Sequence, residues 1–393
     1  MSEWKEVRLG NCIEVIGGGT PKTKNPEYWN GSIPWLSVVD FNSDDKYVYD
    51  TEKKITQLGF NKSSTKLLQK NDIIISARGT VGAMAILKKE MAFNQSCYGI
   101  RALKDISTNN FVYYFLKNSL TNLKQISHGA VFDTITRNTF NEITISLPPL
   151  PEQKAIAEVL SSLDDKIDLL GRQNKTLEEM AETLFRQWFI EERDESWEDV
   201  SLGDSSLCKI IGSGIDVFEG EKIYLATADI QENKIVNRNT IIKYNKKPSR
   251  ANMQPVVHSV WFAKKGGVRK VIMFDRNTLD DTESLILSTG FSGLKTTVKS
   301  HYYIWCFIYS REFQELKDNL LSGSVQPDIN NDGIRNIVIA RPSDKTLVDF
   351  NEVVYPLFRK ISKNNKSVGI LMNLRDTLLP KLISGEVRLK YGK

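Results

Sequence analysis

Two stretches of this sequence, 194 residues apart, carry the same alternation of four- and three-residue steps between apolar side chains. The first runs through Ile156, Leu160, Leu163, Ile167, Leu170, Asn174, Leu177, Ala181, Leu184 and Trp188. The second runs through Phe350, Val354, Leu357, Ile361, Asn364, Val368, Leu371, Arg375, Leu378 and Leu382. A seven-residue period sustained over so many turns indicates a coiled-coil seam, because only a partner helix covers so narrow a stripe. At 1.5 Å per residue each helix would run on the order of 50 Å. Antiparallel pairing sets Asn174 against Asn364, so each polar interruption meets a partner that can satisfy it. Parallel pairing would set Asn174 against Val368 and leave a buried amide unsatisfied. Charge agrees: residues 148–190 hold five basic and eight acidic side chains (−3), and residues 343–385 hold seven and four (+3). Leu163 against Arg375 is the weak layer, acceptable if the guanidinium snorkels outward along its apolar stem. Pro356 predicts a kink or a late start in the second helix. The alternative is two separate amphipathic helices, each lying on its own domain.

The 194-residue shift extends beyond the helices. Trp4-Lys-Glu-Val7-Arg-Leu9-Gly10 returns as Trp197-Glu-Asp-Val200-Ser-Leu202-Gly203, and Ile16-Gly-Gly-Gly19 returns loosely as Ile211-Gly-Ser-Gly214. Gly129-Ala-Val131, Ile143-Thr-Ile145 and Pro148 return as Gly323-Ser-Val325, Ile337-Val-Ile339 and Pro342. Between these anchors the halves differ greatly. Strand-like runs (Asp72–Ser76, Glu142–Leu147) and a short apolar helix candidate (Phe111–Leu116) precede the first coil segment. Ser259–Phe262, Val271–Phe274, Tyr303–Ile308 and Asn336–Ala340 precede the second. The reading is a mixed α/β class: two pseudo-repeated α/β domains separated by two long helices that form an antiparallel coiled coil. Boundaries fall at 1–147, 148–190, 191–342 and 343–393. Leu147-Pro-Pro-Leu-Pro151 forms a stiff bracket that fixes how the chain enters the first helix. The C-terminal Glu386-Val-Arg-Leu389 copies Glu6-Val-Arg-Leu9, where a third repeat would begin, and suggests a tail that closes onto the first domain.

Recognisable catalytic chemistry is missing. No P-loop cradle is present, and Gly17-Gly18-Gly19 runs into Thr20-Pro21 rather than a dinucleotide fingerprint. Pro148-Pro149 follows Ser146-Leu147, unlike the Pro-Pro-aromatic loop of amino-methyltransferases. His128, His258 and His301 lack metal spacing, and no G-x-S-x-G elbow occurs. Asp164-Asp165 and Glu178-Glu179 read as solvated helix faces. Cys12, Cys97, Cys208 and Cys306 are too widely spaced for a zinc knuckle or disulfide framework, and no apolar run approaches the ~20 residues of a membrane span. With no signal-like N-terminus, a cytoplasmic binder or scaffold fits best, with no metal or cofactor of its own. A net charge of +5, from 53 basic and 48 acidic residues, permits a polyanionic partner without requiring one.

Two similar domains joined by an antiparallel coil suit two half-sites on duplex DNA, and their divergent sequences suit an asymmetric target. Candidate reading residues lie on turn-like, Gly-rich segments. They are Lys22, Thr23 and Lys24 after the glycines; Arg78 and Thr80 in Ser76-Ala-Arg-Gly-Thr-Val-Gly82; and Asn94, Gln95 and Ser96. In the second half they are Lys264, Lys265, Arg269 and Lys270 around Gly266-Gly267. Arginine suits guanine N7/O6, and amides suit adenine. The plainer alternative is hairpin turns carrying solvated charges. Tyr28, Trp29, Trp35 and Trp261 are read as core ahead of base-stacking platforms.

Several of these residues resemble a known family. The Trp4…Leu9-Gly10 leader, Gly17-Gly-Gly-Thr-Pro21…Tyr28-Trp-Asn-Gly-Ser-Ile-Pro-Trp35, the Arg78–Gly82 loop and Leu147-Pro-Pro-Leu-Pro-Glu-Gln153 are similar to type I restriction–modification specificity subunits. The second half lacks the Tyr-Trp-Asn-Gly stretch, and its helix follows Arg341-Pro-Ser-Asp344. The resemblance implies a non-catalytic subunit that reads a bipartite DNA target through two target-recognition domains, with the coil as a ruler between half-sites. It implies two adenine methyltransferase subunits docked on the helices, and translocating restriction subunits beside them. S-adenosylmethionine, ATP and Mg would then belong to those partners. The rival readings are a coiled-coil scaffold joining two partners without sequence-specific DNA binding, and a nuclease with an unrecognised site.

Overall fold

The computed structural model describes residues 4–43, 45–126, 134–322 and 328–389. The repeat anchors Gly129–Val131 and Gly323–Val325, and His128, lie outside these residues. The chain divides into two compact units, residues 1–171 with 366–393, and residues 172–365.

In the first unit a five-stranded sheet has the order Ile13–Gly17, Cys97–Ala102, Ile73–Ser76, Met84–Leu87, Tyr47–Val48. A four-stranded sheet follows the order Lys53–Ile55, Trp29–Leu36, Met91–Phe93, Leu67–Leu68. The β-branched run Ile73–Ile75 is wholly buried and feeds both faces of its sheet. Ile73 and Ile75 pack with the helix Asn109–Ile126, while Ile74 packs with Leu68, Leu87 and Phe93. The second unit repeats the four-stranded sheet and four of the five strands of the other. One has the order Cys208–Ile211, Phe291–Thr296, Ser259–Ala263, Val271–Phe274, and the other Ile241–Ile242, Lys222–Leu225, Leu285–Ser288, Ala251–Met253. Corresponding apolar runs, such as Phe111–Leu116 and Tyr303–Ile308, form the buried part of the helix that backs the first sheet in each unit. No helix among the described residues is long and apolar enough to cross a membrane. All four cysteines are buried and unbridged.

The first long helix runs Leu150–Arg186 and the second Asp344–Ile383. Every residue of both heptad sets is buried or half-buried. The proline bracket is held by the two residues after it. Gln153 is fully buried, donating to the carbonyls of Pro148 (2.9 Å) and Ile106 (3.0 Å) and accepting from the Thr108 amide (3.2 Å). Glu152, also fully buried, accepts from Arg388 (2.7 Å) and from the Trp4 indole (3.2 Å), and the Arg388 guanidinium lies 5.2 Å over the Trp4 ring. Leu389 packs on the same unit's core. The tail therefore joins the start of the chain to the start of the first helix through one buried carboxylate.

In the second unit Asn364 donates to Asn174 Oδ1 (2.8 Å), and Asn174 donates to Asn365 Oδ1 (2.7 Å). In the first unit Arg375 does not snorkel outward. Its side chain is 6% exposed and pairs at 2.9 Å with Asp164, itself 3% exposed and accepting from the Tyr114 hydroxyl at 2.6 Å. Asp164 is thus a seam residue, not part of a solvated face. Desolvation alone would lower the Arg375 pKa, but the carboxylates of Asp376 and Asp164 outweigh it and hold the guanidinium more firmly charged. Beside this pair the buried Lys46 ammonium donates to Ser161 (2.7 Å), and burial lowers its pKa to about 8 against the pull of Asp164 and Asp165. Glu178 is likewise no free surface carboxylate. Half-buried, it accepts from Asn233 at 2.7 Å, and desolvation raises its pKa. Nor does the second helix start late: it is continuous from Asp344 across Pro356. Proline lacks the N–H that would bond to the Glu352 carbonyl, but Glu352 is exposed, where water can serve instead.

Breaking the Asp164–Arg375 pair should therefore be costly. Asp164→Ala is expected to destabilise the protein by about 3–5 kcal/mol in urea unfolding, because the buried guanidinium loses its buried partner and keeps the exposed Asp376 instead. Asp164→Leu combined with Arg375→Met should recover most of that loss. Simple additivity of the two changes would show the pair to be unimportant.

A second buried polar feature carries a pH dependence. The rings of His258 and His301 stand 5.1 Å apart, edge to face, and His301 Nδ1 bonds the Thr296 hydroxyl at 2.8 Å. Among the described residues, both nitrogens of His258 and Nε2 of His301 find no hydrogen-bond partner. Desolvation, then the neighbouring His258, lowers the His301 pKa from 6.5 to about 3, and desolvation lowers that of His258. The unfolded chain takes up protons below about 6.5 that the fold refuses, so stability should fall as pH drops from 6.5 toward 3. Thermal midpoints between pH 7 and 5 should show this slope. His258→Asn with His301→Gln should flatten it; an unchanged slope would place its origin elsewhere.

Candidate nucleic-acid interface

In the first unit, strands Ile13–Gly17 and Ile73–Ser76 both run antiparallel to Cys97–Ala102, with Gly17 opposite Tyr98 and Ser76 opposite Cys97. The ends of two strands and the start of the third therefore share one sheet edge, and the candidate loops leave from it together. The hairpin after Ser76 turns through Gly79 and Gly82, whose φ angles of 76° and 86° suit glycine. Ser76 Oγ bonds the Thr80 carbonyl and accepts from the Ala83 amide (3.0 Å), so the loop is stiff while Arg78 and Thr80 stay exposed. The Ala77 amide donates to the Ser96 carbonyl (2.8 Å), tying this hairpin to the Asn94–Ser96 turn. Within that turn Asn94 Oδ1 accepts from the Ser96 amide (3.1 Å). The glycine run passes alongside. The Gly19 amide donates to the Phe93 carbonyl (2.9 Å), Thr20 bonds Gln95 Oε1, and a Cβ on Gly18 would come within 2.1 Å of the Asn94 carbonyl. Lys22, Thr23 and Lys24 follow as an exposed turn. The structure thus places all eight candidates of the first half on adjoining loops.

The second unit builds the same edge. Residues Leu287–Phe291 reproduce Phe93–Cys97 at the 194-residue shift: the Gly290 amide donates to Ser288 Oγ (3.2 Å), and the Lys264 amide donates to the Gly290 carbonyl (2.9 Å). Lys265 consequently occupies the position of Arg78, and Thr289 that of Gln95. Lys265 is exposed, whereas Lys264 is half-buried, with its pKa lowered by desolvation.

Arg269 and Lys270 do not project as free cations. The Arg269 guanidinium donates to the Tyr309 carbonyl (2.6 Å) and stacks 4.1 Å over that ring, while Lys270 donates to the Thr227 carbonyl (2.7 Å). From the helix Arg311–Ser322, buried Lys317 donates to the Val268 carbonyl (2.8 Å), its pKa lowered by burial to about 8. Asp318 accepts from the Gly267 amide (2.8 Å). These charges brace the hairpin because its glycine tip has no side chains of its own to hold it.

Sequence reasoning missed Ser288, Thr289 and Gly290, which the 194-residue shift applied to Asn94–Ser96 would have found. It also missed Arg250, exposed beside that turn with its carbonyl accepting from the Thr289 amide (2.9 Å). Arg137 was missed too: its guanidinium lies 3.1 Å from where a Gly17 Cβ would stand, and no local pattern marks it. Trp35 and Trp261 are core residues, while Tyr28 and Trp29 are half-buried. Among the described residues no group of three or more His, Cys, Asp or Glu side chains could hold a metal ion.

Comparison with known proteins agrees with this layout. Residues 1–179 match the family described as type I restriction modification DNA specificity domain. The type I restriction enzyme MjaIX specificity subunit of Methanocaldococcus jannaschii is 30% identical over 423 residues, covering 99% of this chain and 94% of that protein. The EcoR124I/EcoR124II specificity subunit of Escherichia coli is 30% identical over 170 residues, 41% of each chain. The crystal structure of a type I restriction–modification S subunit from M. genitalium shares the fold, with a TM-score of 0.54 over 97% of this chain and 96% of that one at 16% identity. Alignment along nearly its whole length shows that the chain belongs to the family of type I restriction enzyme specificity subunits.

Proposed function

We propose that this chain is the DNA-recognition subunit of a type I restriction–modification complex, and that each unit reads one half of a bipartite, asymmetric target. The observation that carries this reading is the equivalence of the two sheet edges. The same backbone hydrogen bonds present Arg78 beside Asn94–Ser96 in one unit and Lys265 beside Ser288–Gly290 in the other. Constant backbone with changed side chains is what two recognition surfaces of different specificity require. In this reading residues 1–147 and 191–342 are the target-recognition domains, and 148–190 and 343–393 are the helices and tail.

On the first edge, Lys22 and Lys24 meet phosphates, where contacts position rather than specify. Arg78 has the fork geometry for guanine N7 and O6. Asn94 Oδ1 and Gln95 Oε1 already accept from Ser96 and Thr20, so their NH2 groups are the outward donors. That favours base acceptors over the two-point adenine pairing that a free amide would make. The chain itself carries out no bond-making step. It aligns a target adenine for a partner methyltransferase, which must take the base out of the stack. Exposed Leu169, Ile370 and Leu374 on the first unit's helices supply an apolar surface for two such methyltransferase subunits. Restriction subunits join the same complex, in the cytoplasm.

Co-expression with the methyltransferase subunit, followed by mapping of N6-methyladenine in host DNA, should reveal one split motif with dissimilar halves. A single contiguous motif, or no motif with binding insensitive to salt, would favour the scaffold reading instead.

Arg78→Ala should relax one position of one half-site, and Lys265→Ala should act only on the other. Loss at both halves from either change would break the assignment of one unit to each half. A loss uniform across all sequences would make the residue a phosphate contact.

A further inference from the structure

Val39 is the most exposed large apolar side chain among the described residues, at 77%. It stands on the single-turn 3₁₀ segment Val38–Asp40, which leaves the end of strand Trp29–Leu36. That strand runs parallel to Met91–Phe93, with Leu36 opposite Phe93, so the Val39 turn and the Asn94–Ser96 turn emerge at the same end of the sheet. The Asn94 amide donates to the Leu36 carbonyl at 3.0 Å, which fixes the two turns side by side.

The turn is rigid. The Asp40 carboxylate accepts from the Ser37 amide (2.7 Å) and hydroxyl (3.0 Å) and also from the Glu52 amide (2.7 Å). Val38 packs inward on the core, and Phe41 is 2% exposed. The turn that carries Val39 is thus anchored on both sides, and its isopropyl group is held out into water. An apolar group held out by a stiff turn, beside a polar and cationic edge, fits a contact with an apolar patch inside an otherwise polar ligand. In duplex DNA the major groove offers one such patch, the C5 methyl of thymine.

We infer that Val39 is an apolar base contact of the first unit, seated against a thymine methyl in the half-site which that unit reads. The inference rests on the DNA-recognition reading above and adds a residue and a base to it. The second unit holds the matching turn. The Ala226 amide donates to Asp229 Oδ2 (2.7 Å) as Ser37 does to Asp40, and Leu225 pairs with Leu287 as Leu36 does with Phe93. Ala228 there takes the place of Val39, so the apolar contact is larger in the first unit and contributes to the difference between half-sites.

The test uses the full chain assembled with its methyltransferase subunits and the mapped target duplex. Each thymine of the first unit's half-site is replaced singly by deoxyuridine, which removes only the methyl group. With the unaltered chain, one replacement should weaken binding about fourfold, the value of one methyl-sized apolar contact. Val39→Ala should weaken binding to the unmodified duplex by a similar factor, and should lose nothing further on that uracil duplex. Val39→Thr, which keeps the branched shape and one methyl, should retain most of the discrimination. Additive losses at every thymine would overturn the inference, as would an equal loss on unrelated DNA. Impaired assembly with the methyltransferase, with DNA binding unchanged, would overturn it by showing a protein contact. Failure of the unaltered complex to prefer the mapped target would instead count against the DNA-recognition reading itself.

Discussion

The long helices depend on a few polar groups that cannot be left alone inside an apolar seam. Asp164 with Arg375, and Asn174 with Asn364, are each buried and each satisfied across the seam of one unit. Apolar heptads tolerate sliding, since one leucine layer resembles the next. A buried guanidinium or amide does not, because a shift of one turn would strand it at a cost of several kcal/mol. Register in each unit is therefore set by its polar exceptions, while its leucines supply the general adhesion. The same logic governs the start of the first helix, where Glu152 and Gln153 are fully buried and fully bonded.

This division explains what the sequence disclosed. The 194-residue shift, the 3.5-residue period and the pairing of the two asparagines are one-dimensional patterns and could be read directly. Arg375 was misread because facing positions were considered along the strict seam, where it meets Leu163. Its partner is the next residue, Asp164, which the periodicity assigns to a flank. A second contact, from the Tyr114 hydroxyl of a different helix, helps make that flank an interior. Glu178 escaped for the same reason, since Asn233 reaches it from another part of its unit. Long-range polar contacts leave no period in a sequence.

The candidate interface was legible in a similar, partial way. Glycine-rich turns identified the loops, and the structure brings those of the first half onto one edge. A count of cations, however, does not distinguish a charge that reaches outward from one that props up its own hairpin. Arg269 and Lys270 belong to the second kind because a Gly-Gly tip has to be supported from outside, here by Tyr309, Lys317 and Asp318. The missed turn, Ser288–Gly290, shows the opposite failure. Its residues are individually unremarkable, and only their place in the repeat gives them meaning.

That place is defined by main-chain bonds. Ala77 to Ser96 and Lys264 to Gly290 are the same hydrogen bond, although none of the four side chains matches. Backbone hydrogen bonds constrain where a loop leaves the sheet but place almost no demand on what it carries, apart from glycine where φ is positive. A fold built this way can change the chemistry of its edge without disturbing its core: Arg78 for Lys265, Asn94 for Ser288, Val39 for Ala228. The two units accordingly share a frame while their outward side chains diverge. On the proposed reading of two unlike half-sites, this separation of frame from surface is the property that makes a duplicated domain useful.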